Sequence, residues 1–166
     1  MRILIVSDNH RRMDNFIQVI KQVGPIDLLI HCGDADGSEG AIHRAAGCEM
    51  EIVGGNNDYM GWAGDSSLPM EREFMLGPYK VWLVHGHRYH VNAGDGALRK
   101  EAQARGVDIV MYGHTHRPCV DIRPGAGLAM INPGSLAQPR QDGHRPSYII
   151  MEIDGAGMAH YTVNYL

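Results

Sequence analysis

The sequence predicts a domain of mixed α/β type in which two β-sheets pack together. Its first third alternates short apolar segments with segments of helical periodicity, a pattern typical of parallel β-α-β units. Its last third contains short strand-like segments separated by turns, as in antiparallel sheets. Because 166 residues is close to the size of one average domain, we expect a single domain spanning residues 1–166.

The alternating region begins with an apolar, β-branched segment over 2–6 that predicts the first strand. Apolar residues at helical spacing then predict a helix over 13–23, which ends at Gly24-Pro25. By the same reasoning the next elements are a strand over 27–31, a weaker helix over 39–46 and a strand over 51–53.

The middle of the chain changes character. Two strand-like segments over 73–76 and 80–84 flank the turn Gly77-Pro78, which predicts a hairpin. A helix is expected over 96–105, with Gly106 as its stop, and a buried strand over 108–112. Four antiparallel strands complete the chain, over 119–122, 128–131, 147–153 and 158–163, with breaks at Pro124-Gly125, over 133–146 and at Asp154-Gly155.

Composition excludes several classes of protein. Apolar residues make up 44% and charged residues 20%, which is an ordinary globular balance. The longest apolar runs have four residues, whereas a membrane-spanning helix needs about 20, so we expect no membrane segment. A net charge of −4 without a basic run argues against a strong nucleic-acid surface. Three widely spaced cysteines and the absence of an N-terminal signal pattern favour a cytoplasmic location.

Polar side chains collect where the predicted strands end. In open α/β sheets the carboxyl ends of strands are where binding sites form, and a neighbouring glycine lets the backbone turn sharply. Taken singly, each cluster is also compatible with an ordinary surface turn. The clusters are Asp8-Asn9-His10, Gly33-Asp34, Gly55-Asn56-Asn57-Asp58, His85-Gly86-His87 and Gly113-His114-Thr115-His116.

Taken together, the clusters predict a metal site. All five supply Asp, Asn or His, the oxygen and nitrogen donors that divalent metal ions of intermediate hardness prefer, and none supplies cysteine. Independent turns would not share this selection. A structural zinc site is disfavoured because such sites favour cysteine ligands.

These motifs, in this order, resemble the calcineurin-like metallophosphoesterase superfamily, and in particular its small bacterial and archaeal phosphodiesterases of the YfcE type. The later segments Asn132-Pro133-Gly134-Ser135 and Pro139-Arg140 also look like that subgroup. The resemblance covers nearly the whole chain. It implies a four-layer αββα sandwich of two mixed β-sheets.

The resemblance also implies two divalent metal ions and their ligands. Manganese is the first expectation, and nickel, iron, zinc, magnesium and cobalt are compatible with the same donors. One ion would be held by Asp8, His10 and His116, the other by Asn56, His85 and His114, with Asp34 bridging both. Asn57 departs from the pattern of the phosphomonoesterase branches, where this position is often a histidine that can protonate the leaving group.

This ligand set implies an enzyme that hydrolyses a small phosphodiester with a hydroxide activated by the two-metal centre. Only Asp8 and Asp34 carry negative charge among the ligands, so the loaded cleft keeps an excess of positive charge and attracts an anion. His87 is a candidate proton donor to the leaving group or a polar loop residue. Asp58 is expected to orient a ligand or the bridging water.

A rival hypothesis is a non-catalytic protein-interaction scaffold on the same fold, similar to a retromer subunit. All seven ligand positions are filled here, which favours the enzyme. A homo-oligomer is compatible with the sequence, although no residue indicates one. Arg140 is either a phosphate contact or a surface arginine, and His31 is either a buried support for the site or an ordinary core residue.

Overall fold

The structure, a computed structural model, describes residues 1–60, 67–123 and 127–166. The predicted break at Pro124-Gly125 lies outside the described residues. The first half contains β1 (Arg2–Val6), α1 (Met13–Val23), β2 (Leu28–His31), α2 (Glu39–Ala46), β3 (Glu49–Ile52), α3 (Asn56–Met60), β4 (Glu71–Leu76) and β5 (Tyr79–Val84). The second half contains a 3-10 turn (His87–Tyr89), α4 (Gly96–Arg105), β6 (Ile109–Tyr112), β7 (Pro118–Ile122), β8 (Ala129–Pro133), β9 (Ser147–Ile153) and β10 (Ala159–Tyr165).

In the part of the chain that the structure describes, ten strands form two mixed sheets of five. The first sheet has the order β10-β9-β1-β2-β3, and its strands β1, β2 and β3 run parallel. The second has the order β4-β5-β6-β8-β7, with β5, β6 and β8 parallel. In each sheet the parallel strands lie side by side, so their carboxyl ends reach a common edge.

The two sheets pack face to face, and helices cover their outer faces. Ile3 and Ile5 of β1 contribute to a buried cluster together with Leu83 of β5 and Met111 of β6. The alternate residues of β1, such as Leu4, pack under α1 and α2 instead. On the other side, α4 covers the outer face of β5 and β6. The result is the predicted four-layer αββα sandwich of two mixed sheets, because side chains alternate between the two faces of each strand.

Two details differ from the sequence-based expectation. Residues Asn56–Met60 form a short helix where a loop was predicted. In the last third, β7 pairs antiparallel with β8 and β9 with β10 as expected, but β8 also pairs parallel with β6. The hairpin of β4 and β5 around Gly77-Pro78 is confirmed. Among the described residues, no helix has both the length and the apolar character needed to cross a membrane.

Candidate metal centre

The predicted ligands lie at the carboxyl ends of the strands, where the edges of the two sheets meet. Asp8 and His10 follow β1, Asp34 follows β2, and Asn56 starts α3 just beyond β3. From the second sheet, His85 follows β5 directly, while His114 and His116 lie in the loop between β6 and β7.

A first group of possible ligand atoms comes from Asp8, His10 and His116. Their donor atoms all lie within 4.8 Å of one another. The Nε2 atom of His116 is 3.1 Å from Oδ1 of Asp8, and Nε2 of His10 is 3.9 Å from the same oxygen. The spacing suits one ion held by three side chains.

A second group comes from Asp8, Asp34 and His85, again within 4.8 Å. Nε2 of His85 is 3.5 Å from Oδ2 of Asp34, and Nε2 of His10 is 4.0 Å from that oxygen. Oδ2 of Asp34 therefore lies between His10 of the first group and His85 of the second. This is the position that a bridging ligand would occupy.

The other two predicted ligands lie beside the second group. The ring of His114 packs against that of His85 with centroids 5.2 Å apart, and the backbone N–H of His114 donates to Oδ2 of Asp8 at 3.1 Å. Asn56 lines the same cleft as Asp34 and His114. The structure thus brings all seven predicted side chains to one place, and their role as ligands stays a prediction.

Hydrogen bonds orient three of the histidine rings. Nδ1–H of His10 donates to Oδ2 of Asp36 at 3.1 Å. Nδ1–H of His85 donates to the carbonyl oxygen of Cys32 at 2.7 Å. Nδ1–H of His116 donates to the carbonyl oxygen of Gln138, also at 2.7 Å. Since carbonyls and carboxylates only accept, the proton of each neutral ring lies on Nδ1. The Nε2 lone pairs then face the two groups, as in metal-binding histidines.

The polar atoms in the cluster fit a pair of bound cations. Within the described part of the chain, Oδ1 of Asp8, Oδ1 of Asn56 and Nε2 of His10 and His85 are buried and have no hydrogen-bond partner. Buried polar atoms are rarely left unpaired, because desolvating them is costly. All four are acceptors in the neutral tautomers above, so they match an ion better than a hydrogen-bond donor.

The electrostatics couple the binding of an ion to the loss of a proton from His85. Burial acts to raise the pKa of Asp34, but the adjacent His85 and the N–H donors of Asn57 outweigh it, so that pKa lies well below its usual range. Burial acts to lower the pKa of His85, but Asp34 and Asp8 outweigh it and raise the pKa to about 9. A cation bound through Nε2 of His85 would therefore displace a proton at neutral pH.

The backbone of the site adopts an uncommon conformation. Five of the predicted ligands have positive φ: Asp8 53°, His10 44°, Asp34 57°, His114 67° and His116 58°. This left-handed region is disfavoured for L-residues, and Asp, Asn and His enter it more readily than most. Residues held in such regions cluster at functional sites, where the surrounding structure enforces them.

Asp58 connects two of the ligand-bearing loops. Its Oδ2 accepts the backbone N–H groups of Asp34 at 2.8 Å and Gly55 at 2.7 Å, and its Oδ1 accepts that of Asp36 at 2.6 Å. The side chain is fully buried and faces backbone rather than the cleft. The contacts favour a positioning role for Asp58 over direct proton transfer.

His87 lies next to the site but not among the residues that line its cleft. Its ring centroid is 5.4 Å from that of His85 and 6.1 Å from that of His114. Its Nδ1 atom is buried and has no hydrogen-bond partner within the described residues. The proton-donor role of His87 stays a prediction.

Some residues that support the site carried little or no sequence signal. Asp36 follows the ligand Asp34 by two positions and could have been identified as a second acid in the same turn. The carbonyls of Cys32 and Gln138 have no signature, because every residue has one. Ser135 ends the segment Asn132-Pro133-Gly134-Ser135, and its hydroxyl donates to the carbonyl oxygen of Asp8 at 2.8 Å.

His31 joins the first two ligand loops beneath the site. The backbone N–H of Gly33 donates to its Nδ1 at 3.2 Å, so its own proton lies on Nε2 and is donated to Oδ1 of Asn9 at 3.0 Å. The amide of Asn9 donates in turn to the hydroxyl of Ser38 at 3.0 Å. Burial is the main cause that lowers the pKa of His31 to about 4.

Stability should therefore depend on pH through His31. Its pKa is below the usual 6.5, so the unfolded chain takes up the proton first as the pH falls. We expect the free energy of unfolding to decrease by about 3 kcal/mol from this residue between pH 6.5 and pH 4. Urea unfolding of the metal-free protein across this range should show that the free energy of unfolding changes less steeply with pH in His31→Gln than in the wild type. The exposed His43→Gln serves as the control, and equal slopes for wild type and His31→Gln would contradict the prediction.

Comparison with known proteins identifies the family of this chain. Residues 1–156 match the calcineurin-like phosphoesterase superfamily domain. YsnB of Bacillus subtilis strain 168, described as a probable metallophosphoesterase, is 30% identical over 155 residues, which cover 93% of this chain and 85% of that protein.

Solved structures share the fold over the whole chain. A predicted phosphoesterase from Streptococcus pneumoniae TIGR4 has a TM-score of 0.78 and 27% identity, covering 99% of this chain and 88% of that one. An archaeal phosphodiesterase has a TM-score of 0.70 and 20% identity, with coverage of 99% and 100%. Vps29 from Entamoeba histolytica, complexed with zinc, has a TM-score of 0.69 and 22% identity, with coverage of 99% and 99%. By the match over residues 1–156, this chain belongs to the calcineurin-like phosphoesterase superfamily.

Proposed function

We propose that this protein is a metal-dependent phosphodiesterase that hydrolyses small phosphodiesters. The observation that carries the proposal is the set of buried, unpaired acceptor atoms on Asp8, His10, Asn56 and His85, which converge at one cleft. When bound, two divalent ions supply an activated water and neutralise charge that develops on the phosphate. The likeness to an archaeal phosphodiesterase supports this substrate class.

The residues are assigned as the family motifs imply. Asp34 is proposed to bridge the two ions, because its Oδ2 lies between His10 and His85. The other six ligands divide into Asp8, His10 and His116 for one ion, and Asn56, His85 and His114 for the other. Manganese is the ion that we expect first.

The cleft also contains residues that can bind a phosphate. It has a volume of about 390 Å³, and Arg140 lines it together with Asp36, Asn92 and Gln138. A guanidinium group matches the geometry of two phosphate oxygens. The charge of Arg140 offsets that of Asp36. With two divalent ions bound, the cleft would therefore carry an excess of positive charge.

Asn57 is unsuited to protonating a leaving group. Its Nδ2 donates to Oδ2 of Asp34 at 2.7 Å, and its backbone N–H donates to Oδ1 of Asp34 at 2.9 Å. The side-chain amide is thus already engaged and has no titratable proton. Substrates whose leaving groups depart without a proton should react best.

We therefore expect aryl phosphodiesters to be better substrates than alkyl phosphomonoesters. Chelator-treated protein should regain hydrolysis of bis(p-nitrophenyl) phosphate when Mn²⁺, Mg²⁺, Ni²⁺ or Zn²⁺ is added singly. The diester rate should exceed that for an alkyl phosphomonoester at least about tenfold, because general acid catalysis is worth 10²–10⁴-fold where it operates. Comparable rates on the two classes would count against the assignment.

The likeness to Vps29 supports a second candidate, a protein-interaction scaffold. The same assay separates the two. If none of the ions restores hydrolysis although thermal unfolding shows that they bind, the scaffold is favoured. A cytoplasmic location and a homo-oligomer both remain predictions from the sequence.

A further inference from the structure

A second cavity lies beside the metal cleft. It has a volume of about 360 Å³ and shares two lining residues with that cleft, Asn92 and Arg140. The two cavities therefore adjoin, and a molecule with its phosphate at the metal centre could extend into the second one. This inference rests on the proposed function for its scissile phosphate.

The loop between β6 and β7 forms a common wall of both cavities. His114 and His116 line the metal cleft, whereas the alternate residues Thr115 and Arg117 line the second cavity. Successive residues of this loop therefore face different cavities, and both histidines have positive φ. The same five-residue segment thus serves the metal centre on one side and a second binding surface on the other.

The second cavity is positively charged. Arg117 and Arg140 are its only charged lining residues among those the structure describes. Nε of Arg117 donates to the carbonyl oxygen of Arg140 at 3.2 Å, which ties the two loops together. In the described ranges 1–60, 67–123 and 127–166, neither guanidinium forms an ion pair with a carboxylate. Two such groups at one cavity suit an anion with several oxygens.

Among the neighbouring acidic groups, Asp36 lines the metal cleft together with Arg140, whereas Asp95 and Asp121 pair with other arginines. Burial is the main cause that raises the pKa of Tyr112 and of Cys119, and Asp95 and Asp121 lie near enough to both residues to add to it. Both aspartates pair with Arg99 at 2.7 Å, and Asp121 also pairs with Arg123 at 3.0 Å. Their charges are therefore already balanced.

The floor of the cavity is apolar. Val91 and Tyr112 are nearly fully buried, with 6% and 5% exposure, and Pro118 and Cys119 are half-buried beside them. The small apolar surface that stays exposed there can contact the edge of an aromatic ring or a sugar, since such contact removes apolar surface from water. The cavity therefore combines an apolar surface with two cationic groups at its rim.

We propose that the second cavity binds a second phosphate of the substrate, which is held there and not cleaved. The preferred substrates are then phosphodiesters with one arm that carries a ring and ends in a phosphate monoester. The scissile phosphate lies at the metal centre, the ring lies on the apolar floor, and Arg117 binds the terminal phosphate. Arg140 lines both cavities and lies between the two phosphates.

A pair of dinucleotides tests this specificity. With Mn²⁺-loaded protein, kcat/KM for 5′-phosphorylated thymidylyl-thymidine should exceed that for the unphosphorylated dinucleotide about tenfold, the factor that corresponds to ~1.4 kcal/mol of binding. Arg117→Gln should reduce this ratio to near one. Arg44→Gln removes the same charge from an exposed position on α2 and should keep the ratio. Raising the salt concentration should lower the ratio, because exposed charges are screened.

A binding measurement separates failure of this inference from failure of the proposed function. Phenyl phosphate titrated into dialysed, metal-free protein should shift the amide NMR signals of Thr115, Arg117 and Cys119 saturably, and Arg117→Gln should weaken the binding. If the protein hydrolyses bis(p-nitrophenyl) phosphate but has equal kcat/KM for the two dinucleotides, this inference is overturned and the proposed function stands. If no substrate is hydrolysed, the proposed function fails and the phenyl phosphate titration tests the inference by itself. The inference is overturned if no amide signals shift, or if only signals of residues outside the cavity shift.

Discussion

Replacing Asp34 by asparagine is expected to lower the rate of phosphodiester hydrolysis by about 100- to 1,000-fold, a loss typical of removing one strong electrostatic contact from an active site. Its Oδ2 lies 3.5 Å from Nε2 of His85 and 4.0 Å from Nε2 of His10. An amide oxygen carries no full negative charge, so the variant should also bind the metal ions more weakly. Steady-state hydrolysis of bis(p-nitrophenyl) phosphate and the metal content of the dialysed protein give the two readouts.

Two related variants make this test specific. Asp36→Asn keeps a polar partner for Nδ1 of His10, and we expect a smaller loss of about 10- to 100-fold, as for residues that orient a ligand. Asp14→Asn alters an exposed carboxylate on α1 and should leave both readouts unchanged. If Asp34→Asn retains the wild-type rate and metal content, the proposed bridging role is wrong.

Replacing Gly113 by alanine is expected to cost about 2–3 kcal/mol of stability, as for overpacking of a well-filled interior. A Cβ atom there would collide with the hydroxyl of Ser7 and would lie 2.9 Å from Oδ2 of Asp8 and 3.1 Å from the carbonyl oxygen of Cys32. These groups are buried and cannot move aside cheaply. Because Asp8 is one of them, metal affinity should fall along with stability.

Urea unfolding of the metal-free protein measures the first effect, and a metal titration of the folded protein measures the second. Gly155→Ala is the matched control, since nothing lies within 4 Å of a Cβ at that glycine. Its free energy of unfolding should change by no more than ~0.5 kcal/mol. If Gly113→Ala and Gly155→Ala lose similar free energies of unfolding, the close packing around Gly113 does not explain the need for a glycine at that position.

Much of the fold could be predicted from periodicity, but strand pairing could not. The alternation of apolar strands and amphipathic helices identifies β1, α1 and β2 correctly. The parallel pairing of β8 with β6 was missed, because β7 intervenes in the sequence and hydrophobic patterns do not name a partner. The helix α3 was missed because Asn56-Asn57-Asp58 has low helix propensity. Contacts of Asn57 and Asp58 with the loop after β2 hold this segment in place.

The candidate site was predictable where its side chains carry unusual chemistry. His114 and His116 stand out because two imidazoles one residue apart on a loop can reach two adjacent ions. The acceptors that orient His85 and His116 are backbone carbonyls, so only the structure shows them. The same holds for the second cavity, because Arg117 appears in the sequence as one more charged loop residue.

The left-handed backbone at the ligand positions also limits how the site can change by mutation. Asp8, His10, Asp34, His114 and His116 all occupy a region that glycine, asparagine, aspartate and histidine tolerate best. Three of those four residue types are themselves metal ligands. The loops therefore restrict the amino acids that these positions accept largely to ones that can still bind a cation. A substitution of Asp8 by Asn would then alter the affinity for the ion before it disturbs the fold, whereas a β-branched residue would do both.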